Sequence, residues 1–111
     1  MTSQIIRHLK NSNHVFLCSH INPDGDAIAS VIAMGLLLAS WHKEITLYNE
    51  SPIPVIYRFL PSVKRIVRHI DRQTVYDTAI VLDCGDLHRI GKAASFVSRI
   101  PVIINIDHHV S

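Results

Sequence analysis

The chain has 111 residues, 48% of them hydrophobic and 18% charged, and a net charge of +2. That length and apolar content suit one globular domain with a buried core and exclude an intrinsically disordered chain. The small net charge does not by itself argue for nucleic acid, and two cysteines are too few for a disulfide-built scaffold.

Residues 2–10 read as a short amphipathic helix with Ile5, Ile6 and Leu9 on one side, broken by Asn11-Ser12-Asn13. No long apolar core of a signal peptide follows Met1, so a reducing cytoplasm is the expected compartment. Val15 to Ser19 is a continuous apolar run, the pattern of a strand covered on both faces. Asn22-Pro23 forces an extended or turn geometry, and Gly25 lets the chain turn between two aspartates. Asp26 then opens a helix to about Ser40, its carboxylate capping the first turn or facing the positive end of the dipole.

That helix is apolar nearly all round, so one side meets a sheet and the other wants cover from a second domain or a second copy of the chain. Its apolar run, 27–39, is shorter than the ~20 residues of a membrane span, and no membrane partner is expected. Lys43 to Tyr48 reads as the next strand. Pro54 to Leu60 reads as a short helix, and Ser62 as the cap of another reaching about His69. Tyr76 to Leu82 is a third strand, His88 to Ser98 a turn and short helix, and Val102 to Ile106 the last strand. Alternating apolar strands and helices predict an α/β fold, a three-layer, doubly wound, mainly parallel sheet.

Three strands empty into ligand-type residues. The first is followed by His20, Asp24 and Asp26 on one loop, the third by Asp83 and Asp86, and the last by Asp107, His108 and His109. In open parallel sheets ligands bind at the carboxyl ends of the strands. A solvated Asp-Gly turn with a helix cap needs no metal, so the first loop alone leaves both readings open. Three such clusters at one sheet edge need positive charge between them, and oxygen and imidazole donors without thiolate favour Mn²⁺, Fe²⁺, Co²⁺ or Mg²⁺. Asp86 reads as a turn residue in a supporting position, and Arg89 as a side chain within reach of a phosphate or of an aspartate. Lys64, Arg65, Arg68 and Arg72 read first as a solvated basic face, with phosphate or nucleic-acid contact as the second reading. Cys18 and Cys84, both at strand ends, read as small buried thiols.

In order and type these residues resemble the DHH phosphoesterase superfamily, named for the triplet present here as Asp107-His108-His109. Its first motif is matched by Ser19 to Ala27 and its second by Val81 to Leu87, and the Asn-Pro-Asp-Gly-Asp-Ala run resembles the DHH-DHHA1 branch that contains nanoRNase. The resemblance implies a Rossmann-like domain that hydrolyses short oligoribonucleotides or 3′-phosphoadenosine 5′-phosphate with two Mn²⁺ ions, Mg²⁺ or Co²⁺ being the substitutes. It assigns His20, Asp24 and Asp83 to one ion, and Asp26, Asp83 and His108 to the other. Asp83 and His108 count among the catalytic residues with His109, which would meet the substrate phosphate, and Asp107 would support the histidines. It further implies that residues 1–111 are the N-terminal part of a DHH domain, with a DHHA1-type domain beyond them, and that the chain alone has little or no turnover.

Other chemistries of the superfamily, namely pyrophosphate hydrolysis, single-strand exonuclease action and cyclic-dinucleotide cleavage, share the metal ligands. From a different class, a receiver-type signalling domain also gathers acids after its first and central strands. It would use a lysine after the last strand, where this chain has Asp107-His108-His109.

Overall fold

The computed structural model describes residues 3–106. Five strands, β1 (His14–Cys18), β2 (Glu44–Tyr48), β3 (Ile66–Val67), β4 (Thr78–Leu82) and β5 (Val102–Ile106), form one sheet in the order β3-β2-β1-β4-β5. Every pairing is parallel. The helices are α1 (Ser3–Asn11), α2 (Gly25–Ser40) and α3 (Ala94–Ser98).

Side-chain alternation in β1 explains the three layers. Val15 and Leu17 point into a core with Leu9 of α1 and Val31 and Leu38 of α2. Phe16 and Cys18 point into a second core with Ile90, Ala93 and Val97, on the α3 side. A strand covered on both faces has no polar side to show, which is why β1 and β4 read as unbroken apolar runs. Phe16 anchors the second core, its ring 5.3 Å from Tyr48, 5.1 Å from Tyr76 and 5.6 Å from Phe96. On the other face, a Cβ placed on Gly35 would lie 2.8 Å from Leu47 Cδ2, so this glycine lets α2 settle against β2.

The chain starts in the middle of the sheet, winds outward through β2 and β3, then returns to the far side of β1 for β4 and β5. The order therefore reverses between β1 and β4, the position beyond whose carboxyl ends open α/β sheets bind their ligands. The fold is the doubly wound, Rossmann-like α/β arrangement expected from the sequence. No helix among the described residues is long and apolar enough to cross a membrane.

Three local expectations are corrected. The helix expected from Ser62 to His69 is a 3₁₀ turn over Val63–Arg65 followed by β3. Ser62 sits at φ 65° and makes no capping bond, while Ile66 pairs beside Leu47 and extends the sheet. The helix expected over 54–60 is a single 3₁₀ turn, Val55–Tyr57. The cap of α2 is Asp24, not Asp26, and the helix begins at Gly25. The outer side of α2 is partly covered by its own chain, since Ile53, Tyr57, Leu60 and Val63 pack on Ile28 and Ile32. Ala29, Ala33 and Leu36 stay exposed.

Candidate metal centre

Two strand ends build the site. After β1 the chain leaves the sheet through Ser19 and His20, turns at Asn22 with φ 52°, and enters α2 through Asp24. Asparagine tolerates the left-handed region better than most residues, and Pro23 then holds the approach to the helix. After β4 the chain turns at Asp83, whose φ of 54° is uncommon for a residue with a Cβ. Asp83 N–H still donates to Ile106 O at 3.0 Å, so the turn begins only after the last rung of the β4–β5 ladder. Strained backbone of this kind gathers at functional sites and persists only where the surroundings hold it.

These two turns bring His20, Asp24 and Asp83 together, with one ligand-type atom from each lying within 4.8 Å of the others. His20 and Asp83 are buried and Asp24 is exposed. His20 Nδ1 lies 2.7 Å from Ile21 O. A carbonyl only accepts, so Nδ1 carries a proton, and in the neutral ring Nε2 presents its lone pair. That lone pair stands 3.7 Å from Asp83 Oδ2. Asp24 Oδ1 accepts from Ala27 N–H at 2.9 Å, which ties one carboxylate oxygen to the start of α2.

Two carboxylates and an imidazole lone pair at this range repel one another. The cluster calls for positive charge at its centre, from a proton on Nε2 or from a bound cation. Its donors are one nitrogen and two carboxylates, with no thiolate, which fits a divalent ion of the Mn²⁺, Fe²⁺, Co²⁺ or Mg²⁺ kind. The backbone bond at Nδ1 is the outer contact that fixes the tautomer and ring plane of a metal-binding histidine.

The other candidate site residues of the sequence fall into four groups. Asp26 is exposed in the first turn of α2, near the positive end of its dipole and outside the three-residue cluster. Asp86 caps the 3₁₀ turn Leu87–Ile90, Oδ1 accepting from His88 N–H at 2.9 Å. Arg89 touches the ligand loop through its backbone, its carbonyl accepting from Ile21 N–H at 2.7 Å. Asp107, His108 and His109 lie outside the described residues.

The structure adds one residue that sequence reasoning missed. Asn49, buried just beyond β2, donates from Nδ2 to His20 O at 2.8 Å and to Ser19 Oγ at 3.1 Å, and accepts from Ser51 N–H at 2.9 Å. Ser51 Oγ in turn accepts from Asn22 N–H at 2.8 Å. A polar residue after a strand looks like any turn residue, so nothing local marks Asn49.

Comparison with known proteins agrees with this geometry. Residues 14–111 match the DHH family, N-terminal domain. The chain is 31% identical over 98 residues to the bifunctional oligoribonuclease and PAP phosphatase NrnA of Thermus thermophilus, a match covering 86% of this chain and 28% of that protein. A crystal structure of an exopolyphosphatase-related protein from Bacteroides fragilis superposes with a TM-score of 0.87 at 26% identity, over 97% of this chain and 34% of that one. The chain thus spans about a third of the length of these relatives. With its sheet, its ligand loop and its matched residues in agreement, the chain belongs to the DHH family and carries that family's N-terminal domain.

Proposed function

We propose that this domain hydrolyses phosphoesters of short oligoribonucleotides or of 3′-phosphoadenosine 5′-phosphate with the help of divalent metal, Mn²⁺ being the first choice. The convergence of His20, Asp24 and Asp83 at the point where strand order reverses carries this reading. Family membership sets aside the receiver-domain alternative. The Thermus thermophilus relative supports the nucleotide substrates, and the Bacteroides fragilis neighbour supports linear polyphosphate as the second substrate to assay.

His20 Nε2, Asp24 and Asp83 would hold one ion. Asp26 and His108 would complete a second position with Asp83 between them. When bound, such ions lower the pKa of a water into the neutral range and offset charge on the phosphoryl oxygens. The chain's own residues orient the donors. Ile21 O fixes the His20 tautomer, Asn49 pins the loop that carries it, and the cap bond at Ala27 holds Asp24. His109 is assigned to the substrate phosphate and Asp107 to support of the histidines.

The test is calorimetric titration of the chain with Mn²⁺, with thermal melting in parallel. The expected result is saturable binding that raises the melting temperature and is lost in Asp83→Asn. Mn²⁺-dependent release of AMP from a diadenylate is the activity measurement, with little or no release expected from residues 1–111 alone. Failure of the unaltered chain to bind Mn²⁺, or binding that survives in Asp83→Asn, would falsify the assignment.

A further inference from the structure

Two clefts adjoin at the carboxyl side of β2 and β3. The first, about 290 Å³, is lined by Pro52, Ile53, Val63 and the cations Arg58, Lys64 and Arg68. The second, about 380 Å³, shares Pro52 and Arg68 with the first and adds Lys92, His69 and Glu50. Together they make a trough whose four full cations come from three separate chain segments. Among the described residues, none of the four forms an ion pair with a carboxylate. A merely solvated basic face, the first reading of the sequence, does not require such convergence.

Two of these cations are held in place. Arg58 Nε donates to Ile53 O at 3.1 Å and Arg68 Nε to Glu50 O at 3.1 Å, so each guanidinium is fixed at its stem. The one acid of the trough, Glu50, is already engaged, since its Oε2 accepts from Lys92 N–H at 3.0 Å. The walls of the first cleft are apolar, and the same segment exposes Val55, Ile56 and Phe59. Single-stranded nucleic acid is held by grooves that set cations against its phosphates and aromatic rings against its bases, and Phe59 is an exposed ring on this same segment.

The trough lies one chain segment away from the ligand loop. Asn49 bonds His20 O, Ser51 bonds Asn22 N–H, and Glu50 between them lines the second cleft. We infer that this trough is a second binding site, which holds a phosphodiester group and a base of a single-stranded oligoribonucleotide outside the metal centre. The inference rests on the phosphoesterase reading for its choice of nucleotide ligand, but its own binding needs no metal.

The probe is a fluorescein-labelled pentaribonucleotide, followed by anisotropy in the presence of EDTA. Lys64→Glu combined with Arg68→Glu should weaken binding at least about tenfold. The slope of log K against log salt should fall by about 1.4, that is about 0.7 for each phosphate no longer neutralised. Arg7→Glu with Arg99→Glu carries the same charge change elsewhere on the surface and should leave binding as it was. The milder pair Lys64→Gln and Arg68→Gln, checked by circular dichroism, covers the case where charge reversal disturbs folding. Unlabelled pentaribonucleotide should displace the probe at least about fivefold better than linear pentaphosphate, because the apolar wall contributes only to the former. Absence of binding up to millimolar chain, equal loss in the control pair, or equal displacement by pentaphosphate overturns the inference. Mn²⁺ titration reads the metal centre separately, so a failed trough and a failed metal centre give different results.

Discussion

Asn49 Nδ2 donates to the carbonyl oxygen of His20 across 2.8 Å, joining the end of β2 to the loop that carries the buried imidazole. The same side chain also engages Ser19 Oγ and Ser51 N–H, so Asn49→Ala strands buried polar groups on both sides. The expected cost is about 2–3 kcal/mol in urea unfolding. Mn²⁺ affinity should fall about tenfold as well, the scale found for contacts that orient a ligand from outside. Asn49→Asp keeps the acceptor for Ser51 N–H but sets a buried carboxylate oxygen against the His20 carbonyl, so it should cost at least as much as Asn49→Ala. Lowered stability with unchanged Mn²⁺ affinity would show that Asn49 supports the fold without positioning His20.

Asp24 has two tasks that one substitution separates. As N-cap of α2 it accepts from Ala27 N–H, and as a member of the cluster it offers carboxylate charge. Serine caps helices about as well as aspartate but brings no charge. Asp24→Ser is therefore expected to keep unfolding stability within about 0.5 kcal/mol while Mn²⁺ binding is lost. Asp24→Ala should lose both, with a stability cost of about 1 kcal/mol. Equal Mn²⁺ affinity in Asp24→Ser and the unaltered chain would remove Asp24 from the ligand set.

What can be read from the sequence follows burial and chain proximity. β1, β2, β4 and β5 announce themselves because burial leaves apolar runs such as Val15 to Cys18 and Ala79 to Leu82. β3 does not, because two paired residues at a sheet edge, Ile66 and Val67, sit in a basic stretch whose spacing imitates a helix. His20, Asp24 and Asp83 are legible because each follows an apolar strand in sequence. Asn49 is not, since its role exists only once β2 lies beside β1. Asp26 resembles the cap as closely as Asp24 does because Gly25 accepts either start, and only the Ala27 bond distinguishes them. The trough is legible only in part, since Lys64 and Arg68 stand in the basic stretch of the sequence while Arg58 and Lys92 join them only through the fold.

Gly91 makes room for two parts of the site at once. Its φ is 98°, and an added Cβ would sit 2.6 Å from Glu50 Cδ and 2.8 Å from Ile21 Cγ2. Gly91→Ala is expected to cost about 2 kcal/mol, from backbone strain and from collision with Glu50. Adding Glu50→Ala should recover part of that loss by clearing the Glu50 collision, while the backbone strain and the contact with Ile21 Cγ2 remain. Chemical denaturation of the single and double variants measures the split. Full recovery in the double variant would show that the strained φ contributes nothing.

Cys18 gives the fold a pH dependence on the alkaline side. Burial pushes its thiol well above the ordinary value of 9.0, and nearby Cys84 adds to the shift. The folded chain therefore keeps a proton that the unfolded chain releases near pH 9. Stability from this group is fully present below pH 9 and is lost as pH rises further, at up to about 1.4 kcal/mol per pH unit. The Tyr48 phenol is also raised, by burial first and then by Glu50 and Cys18, and adds its own loss only above its ordinary value of 10.0. Urea midpoints at pH 7.5, 9 and 10 (values chosen to bracket these transitions) should decline in the unaltered chain and decline less in Cys18→Ala. Below the transition, Ellman's reagent should find Cys18 unreactive until the chain unfolds, because attack requires an exposed thiolate. Identical alkaline slopes in the two chains would mean that Cys18 does not govern the loss.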